Sequence, residues 1–166
     1  MILAAIVVTY NRLEELKITL ARLLTEDVDH IVVADNASSD GTHDWLTAQT
    51  DPRLHVITLS DNRGGAGGFE AGMAAARDQF DPDWVVLMDD DARPYQGALA
   101  MFRNETSKLE PKTGAVAAAV FYPNGTLCEM NRPSRNPFWN LGLFAKTLFT
   151  GSRSGFHLEN AAFAPD

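Results

Sequence analysis

The chain has a single cysteine, Cys128, so no intramolecular disulfide can form. That scarcity suits a reducing compartment. Positive charge is also scarce: 14 Lys and Arg stand against 22 Asp and Glu, a net charge of −8. A nucleic-acid binder would need a basic stripe, and that class is excluded. No apolar run reaches the length of a bilayer span. Met1 to Val8 is apolar but short, and it lacks the basic start of a secretory signal. Glycine is missing from Thr9-Tyr10-Asn11-Arg12, the turn after the first predicted strand, where a Rossmann dinucleotide site requires it. The Gly-Lys-Ser/Thr of a P-loop is missing as well. Both common nucleotide folds are thereby disfavoured.

What remains is ordinary globular composition, 45% hydrophobic and 22% charged over 166 residues, enough for a domain with a sizeable core. Strand and helix signals alternate up to about residue 120. Ile2 to Val8 reads as a strand, and Leu16, Leu20, Leu23 and Leu24 give helical spacing over 13–24. Ile31 to Ala34 is a second strand, and Ser38 or Ser39 is expected to cap a short helix holding Trp45 and Leu46. Leu54 to Leu59 is a third strand. Gly64-Gly65-Ala66-Gly67-Gly68 opens a helix that runs to Phe80 and stops at Asp81-Pro82. Trp84 to Met88 is the fourth strand, and Pro94 is expected in the first turn of the next helix. Ala115 to Phe121 reads as a further strand, turning at Pro123-Asn124-Gly125 into Thr126 to Met130. Repeated β-α units predict an α/β fold, a mostly parallel sheet with helices on both faces.

The densest chemistry follows the fourth strand, where Asp89-Asp90-Asp91 place three carboxylates at one sheet edge. Adjacent buried anions repel, and a cation or protonation must relieve them. A divalent metal held by Asp89 and Asp91 and shared with an anionic ligand does so. A solvated acidic turn that caps a helix is the competing reading. His30, His43, His55 and His157 show no ligand spacing and read as surface or structural residues.

The order of motifs resembles the family 2 nucleotide-sugar glycosyltransferases, which have a GT-A fold. The resemblance rests on Val7-Val8-Thr9-Tyr10-Asn11-Arg12, Val33-Ala34-Asp35-Asn36-Ala37-Ser38, Asp61-Asn62-Arg63-Gly64-Gly65-Ala66-Gly67-Gly68 and Met88-Asp89-Asp90-Asp91. Each follows a successive predicted strand, and together they span residues 2 to about 122. The glycine and aspartate motifs look most like the galactofuranosyl- and rhamnosyltransferase branches.

This resemblance implies a metal-dependent, inverting transfer of sugar from a nucleoside diphosphate, UDP favoured over dTDP, to a glycan or lipid-linked acceptor. It places the work in cell-wall or polysaccharide synthesis, in the cytoplasm or at the inner face of the membrane. Nucleotide contacts are implied for Thr9, Tyr10, Asn11, Arg12, Asp35, Asn62, Arg63, Gly64, Gly65, Asp89 and Asp90. In such enzymes Asp35 would accept the N3–H of a pyrimidine, and Asp91 with Asp89 would hold Mn²⁺ or Mg²⁺. Tyr10 can instead pack on the first helix, Arg12 can be solvated, and the glycines can serve only as a turn.

Residues 1–122 are expected to bind the donor and 123–166 to begin the acceptor side. The family's catalytic base is expected outside this chain: Glu129, Glu159 and Asp166 sit in no recognisable motif. The isolated chain should then bind donor better than it transfers sugar. Two other readings compete: a sugar-nucleotide nucleotidyltransferase, and a non-catalytic nucleotide-sugar-binding or partner-binding module. The first usually carries a glycine-rich basic loop after strand one, which Thr9 to Arg12 does not supply. The second fits the aromatic stretch Phe138 to Phe149, which can also pack on the core or touch a membrane.

Overall fold

The computed structural model describes residues 1–128 and 141–151. The chain divides into two compact units, Met1–Leu109 and Glu110–Asp166.

In the first unit a parallel four-stranded sheet runs in the order β3-β2-β1-β4. Its strands are β1 (Leu3–Thr9), β2 (His30–Asp35), β3 (Leu54–Thr58) and β4 (Trp84–Asp89). Helices α1 (Leu13–Leu23), α2 (Thr42–Thr47), α3 (Gly64–Phe80) and α4 (Ala98–Glu105) connect or follow them. The α/β reading holds. β1 is central, so all seven of its residues are buried and it reads as a continuous apolar run.

Alternation along β1 divides the core between two faces. Leu3, Ala5 and Val7 join Leu16, Leu20 and Leu23 of α1, Leu46 of α2 and Leu99 of α4. Ala4 and Ile6 face Ala76 of α3. Truncating Leu20 to alanine would cost about 2–5 kcal/mol at such a site. Helix α3 lies very close to β1. A Cβ on Gly68 would come within 2.5 Å of Val8 Cγ1, and one on Gly72 would collide with Ile6.

Three local expectations are corrected. Helix α2 starts at Thr42, and neither Ser38 nor Ser39 caps it. Asp40 accepts the Thr42 hydroxyl at 2.6 Å and the Leu13 N–H at 3.0 Å, while Ser38 Oγ accepts the Asn11 N–H at 2.9 Å. A carboxylate offers two acceptors, enough to serve two helix starts at once. Pro94 lies outside α4, which begins at Ala98 behind Gly97 in a left-handed conformation (φ 77°). Its carbonyl accepts from Arg22 Nε at 3.0 Å. In the second unit Ala115 to Phe121 forms no strand. Only an isolated antiparallel bridge joins Phe121 to Leu127, around a turn with Gly125 at φ 81°. Alanine-rich chain has little β-propensity to extend such a pairing. Met130 lies outside the described residues.

The second unit also contains α5 (Leu141–Thr150), on which Leu141, Leu148 and Phe149 are exposed. Phe138 to Asn140 lie outside the described residues. Among the described residues no helix is long and apolar enough to cross a membrane.

Candidate functional site

In a parallel sheet, ligands bind beyond the carboxyl ends of the strands, where the chain turns opposite ways from a central strand. Here β1 has β2 on one side and β4 on the other. A cleft of about 320 Å³ opens at that point. Val8, Thr9, Tyr10 and Arg12 line it from the end of β1, and Asn36 from the end of β2. Asn62, Gly64 and Gly65 enter from the start of α3, and Asp89, Asp90 and Asp91 from the end of β4.

The three aspartates have different surroundings. Asp90 is buried (4% exposed), whereas Asp89 and Asp91 are exposed. The Thr9 hydroxyl donates to Asp90 Oδ2 at 2.9 Å, and the Thr19 hydroxyl donates to the Asp90 carbonyl at 2.6 Å. Arg12 spans the neighbours, its Nη1 lying 3.3 Å from Asp90 and 2.9 Å from Asp91. Burial pushes the Asp90 carboxyl above its ordinary value, although Thr9 and Arg12 pull the other way. Asp91 and Asp90 in turn hold the Arg12 guanidinium firmly charged, its pKa raised. The solvated acidic turn is therefore only part of the description. One carboxylate is sunk into the protein and its two neighbours are turned outward.

The opposite wall attracts charge of the other sign. The first backbone N–H groups of α3 have no partners within the helix, and they carry the positive end of its dipole. Gly64 adopts φ 68°, and a side chain on Gly64 or Gly65 would meet nothing within 4 Å, so that wall is open backbone. The Asn62 side chain accepts the Gly64 N–H at 2.9 Å. Asn36, only 2% exposed, holds the loop on both sides. Its Nδ2 donates to the Gly64 carbonyl at 2.9 Å, and its Oδ1 accepts the Arg63 N–H at 3.2 Å.

The remaining expected residues take other places. Asp35 is fully buried beside Thr9; Oδ1 accepts the Ser38 N–H at 3.0 Å, and Oδ2 has no partner. A buried acceptor left unmade costs about 1–3 kcal/mol, which a ligand's donor can recover. Asn11 turns away from the cleft at φ 53° and ties the β1 loop to the β2 loop through Ser38 and Ser39. The Arg63 guanidinium faces Glu70 at 3.4 Å and does not line the cleft. Tyr10 lines it at 43% exposure. Sequence reasoning passed over Asn36 and Thr19. Asn36 carried a usable signal, an amide directly after an apolar strand; Thr19 sits mid-helix and carried none. Glu129, Glu159 and Asp166 lie outside the described residues.

Among the described residues no three His, Cys, Asp or Glu side chains form a metal cage. Two outward carboxylates still suit Mg²⁺ or Mn²⁺, which bind through one or two carboxylates and complete their shell with phosphate oxygens and water. The donor set of Asp89 and Asp91 fits such an ion.

Fold and site together define a GT-A-type α/β domain of the nucleotide-diphospho-sugar transferases. Residues 4–160 match the model of Glycosyl transferase family 2, and the chain belongs to that family. It is 37% identical over 95 residues to the galactofuranosyltransferase GlfT1 of Mycolicibacterium smegmatis, covering 56% of this chain and 31% of that protein. It is 40% identical over 94 residues to the undecaprenyl-phosphate mannosyltransferase of Micrococcus luteus, covering 52% and 36%. The chain thus spans about a third of the length of these relatives. Among solved structures, the Pyrobaculum calidifontis mannosyltransferase PcManGT, in complex with GDP-Man and Mn²⁺, superposes with a TM-score of 0.56 at 25% identity. That match covers 74% of this chain and 36% of PcManGT. S. aureus TarS 1–349 shares the fold with a TM-score of 0.55 at 22% identity, over 75% of this chain and 43% of its own.

Proposed function

We propose that residues 1–122 are the donor-binding part of a divalent-metal-dependent, inverting glycosyltransferase. The donor is a nucleoside diphosphate sugar, UDP-linked in preference to dTDP-linked, and the acceptor is a glycan or a lipid-linked glycan. One observation carries this reading. A single cleft sets outward carboxylates, Asp89 and Asp91, opposite the N-terminal end of α3, the positive end of its dipole. The first wall attracts a cation and the second an anion, and a metal diphosphate satisfies both. The relatives' printed activities, galactofuranosyl and mannosyl transfer, and the GDP-Man and Mn²⁺ bound by PcManGT support the same reading.

On this reading Asp35 Oδ2 accepts a base N–H, and Tyr10 offers its ring to the base. Gly65 presents its backbone N–H to the diphosphate, and Gly64, whose own N–H is held by Asn62, leaves the approach clear of side chains. Asp89 and Asp91 would hold Mn²⁺ or Mg²⁺, which acts as a Lewis acid toward the departing diphosphate. Arg12 adds a fixed positive charge at the same wall. Among the described lining residues the carboxylates are Asp89, Asp90 and Asp91, all committed to this wall. We assign the base that deprotonates the acceptor hydroxyl to chain outside Met1–Leu109, since these three carboxylates already have roles in donor binding.

Calorimetric titration of the chain with UDP, dTDP and GDP, with and without Mn²⁺, tests the proposal. Binding of one diphosphate that strengthens at least about tenfold with Mn²⁺, or 1.4 kcal/mol, is expected. Equal affinity with and without the metal would overturn the metal dependence, and no binding of any diphosphate would overturn the donor assignment.

A further inference from the structure

The segment that joins β4 to α4 carries acidic residues; besides the contacts of Thr9 and Arg12 with Asp90 and Asp91, it is fastened along one face of α1 and the turn beyond it. Glu15 pairs with Arg93. The Thr19 hydroxyl donates to the Asp90 carbonyl at 2.6 Å. Arg22 Nε donates to the Pro94 carbonyl at 3.0 Å. Glu26 accepts the Gly97 N–H at 2.9 Å, the Leu99 N–H at 3.1 Å and Arg22 Nη2 at 2.5 Å. Positions 15, 19, 22 and 26 recur at three- and four-residue intervals, the spacing of one helix face. The neighbouring stripe, Leu16, Leu20 and Leu23, is buried in the core and fixes the rotation of α1.

Two members of this seam occupy places that a merely solubilising face would leave to apolar residues. Thr19 is fully buried and the Glu26 side chain is 1% exposed. A buried carboxylate is tolerated only when its lone pairs are used, and both Glu26 oxygens are. Its acceptors hold the amides at the start of α4, so the far end of the acidic segment is fixed. Thr19 fixes the near end, at the carbonyl of the one buried aspartate. Between these anchors the backbone carrying Asp91 is held against the cleft, while Asp89, on the other side of Asp90, is fixed by the pairing of β4 with β1.

We infer that Thr19 and Arg22 are positioning residues. They act through the backbone of Asp90 and Pro94 to hold the acidic segment against the ligand, without touching the ligand themselves. This inference rests on the metal–diphosphate reading of the cleft. It makes α1 the rigid support from which that site is built.

The test compares Thr19→Val, Thr19→Ser and Arg22→Lys with the unmodified chain. Each is titrated with the best-binding of UDP, dTDP and GDP, with and without Mn²⁺. Thr19→Val keeps the shape of the side chain and removes one hydrogen bond, so the gain in affinity from Mn²⁺ should fall roughly three- to tenfold. Metal-free affinity should stay within about twofold, because the base-side groups Tyr10 and Asp35 are not attached to α1. Thr19→Ser should restore the gain. Arg22→Lys, which keeps charge beside Glu26 but releases Pro94, should lose part of it and guards against a Thr19→Val chain that fails to fold. A full Mn²⁺ gain in both Thr19→Val and Arg22→Lys would overturn the inference and leave the donor reading intact. If the unmodified chain shows no Mn²⁺ gain, the metal reading of the cleft fails and hydrogen exchange decides the rest. Faster exchange at the Ala92 and Gly97 amides in Thr19→Val supports α1 as the support of the segment, and unchanged exchange overturns it.

Discussion

Asp29 and Asp90 sit at opposite ends of the same sheet, and their surroundings act on them in opposite directions. Burial pulls Asp29 upward, but the Leu3 N–H at 2.7 Å and the Arg103 guanidinium outweigh it and hold its carboxyl below the ordinary value. Burial dominates at Asp90, whose carboxyl is pushed up despite Thr9 and Arg12. Around Asp29 the charges are paired: Arg103 also meets Asp27 at 3.1 Å, and Asp83 accepts the Ile2 N–H at 2.6 Å, although the neighbouring His30 Nδ1 has no partner among the described residues. Around Asp90 the polar groups are deeper and less well served. Thr9, Asp35 and Asn36 are each no more than 2% exposed, and Asp35 Oδ2 has no partner. The lower end of the sheet therefore spends its charges on holding strands together. The upper end keeps exposed carboxylates at Asp89 and Asp91, the latter paired with Arg12, and at Asp35 Oδ2 an acceptor without a partner among the described residues, which is what a ligand site requires and what stability alone disfavours.

The sharpest way to break this comparison is to remove charge from the upper end. Asp91→Ala should weaken Mn²⁺-dependent nucleoside diphosphate binding by about 100-fold or more, since mutating partners one shell beyond a metal ligand already costs 10–100-fold. Its urea midpoint should shift by no more than about 0.5 kcal/mol in stability, as expected at an exposed site. A smaller loss is expected from Asp35→Asn, which retains an acceptor for Ser38 and replaces the unpaired oxygen with a donor. A charged hydrogen bond is worth about 1.5–3 kcal/mol, so titration should show roughly tenfold or greater weakening with the melting temperature unchanged or raised.

The lower end should respond the other way. Asp29→Asn should lower stability by about 1 kcal/mol and leave nucleotide affinity unaltered. The native carboxyl is depressed below 3.8, so this contribution is present above that pH and lost as pH falls through the folded value. Denaturant midpoints of wild type and Asp29→Asn should accordingly converge on acidification. The smallest effect belongs to His55, packed beside the stacked rings of His30 and Phe80 with ring centroids 5.5 and 4.4 Å away. Burial, then His30, lowers its pKa below 6.5. The neutral form is favoured on folding, so stability is complete above 6.5 and declines as pH falls below it. His55→Phe should flatten that decline by under about 1 kcal/mol between pH 7 and 5, measured by thermal unfolding.

The four strands and their helices were legible because apolar runs and helical leucine spacing survive any tertiary context. The C-terminal ends of the strands were legible too, and that placed the acidic and glycine-rich segments on one edge. Roles within those segments were not. Asp89, Asp90 and Asp91 are identical letters; Asp90 is sunk because it continues the inward side of β4 after Trp84, Val86 and Met88, where Thr9 meets its carboxylate. Four clustered glycines looked alike, yet Gly64 and Gly65 open the cleft whereas Gly68 lets α3 approach Val8. Arg63 looked as suited to phosphate as Arg12, but a residue seven positions on, Glu70, takes its guanidinium. Ala115 to Phe121 failed for a different reason: hydrophobicity suggested a strand, and among the described residues its pairing is limited to the bridge from Phe121 to Leu127.

The contrast between the two ends is tested most directly by amide NMR of the chain with UDP and substoichiometric Mn²⁺, whose unpaired electrons broaden nearby resonances. The amides of Thr9, Gly64, Gly65 and Asp89 to Asp91 should broaden beyond detection, while those of Leu3, Asp29 and Asp83 stay sharp. Broadening centred on Asp29 and Asp83, or none at Asp89 to Asp91, would contradict a metal–diphosphate site at the upper end.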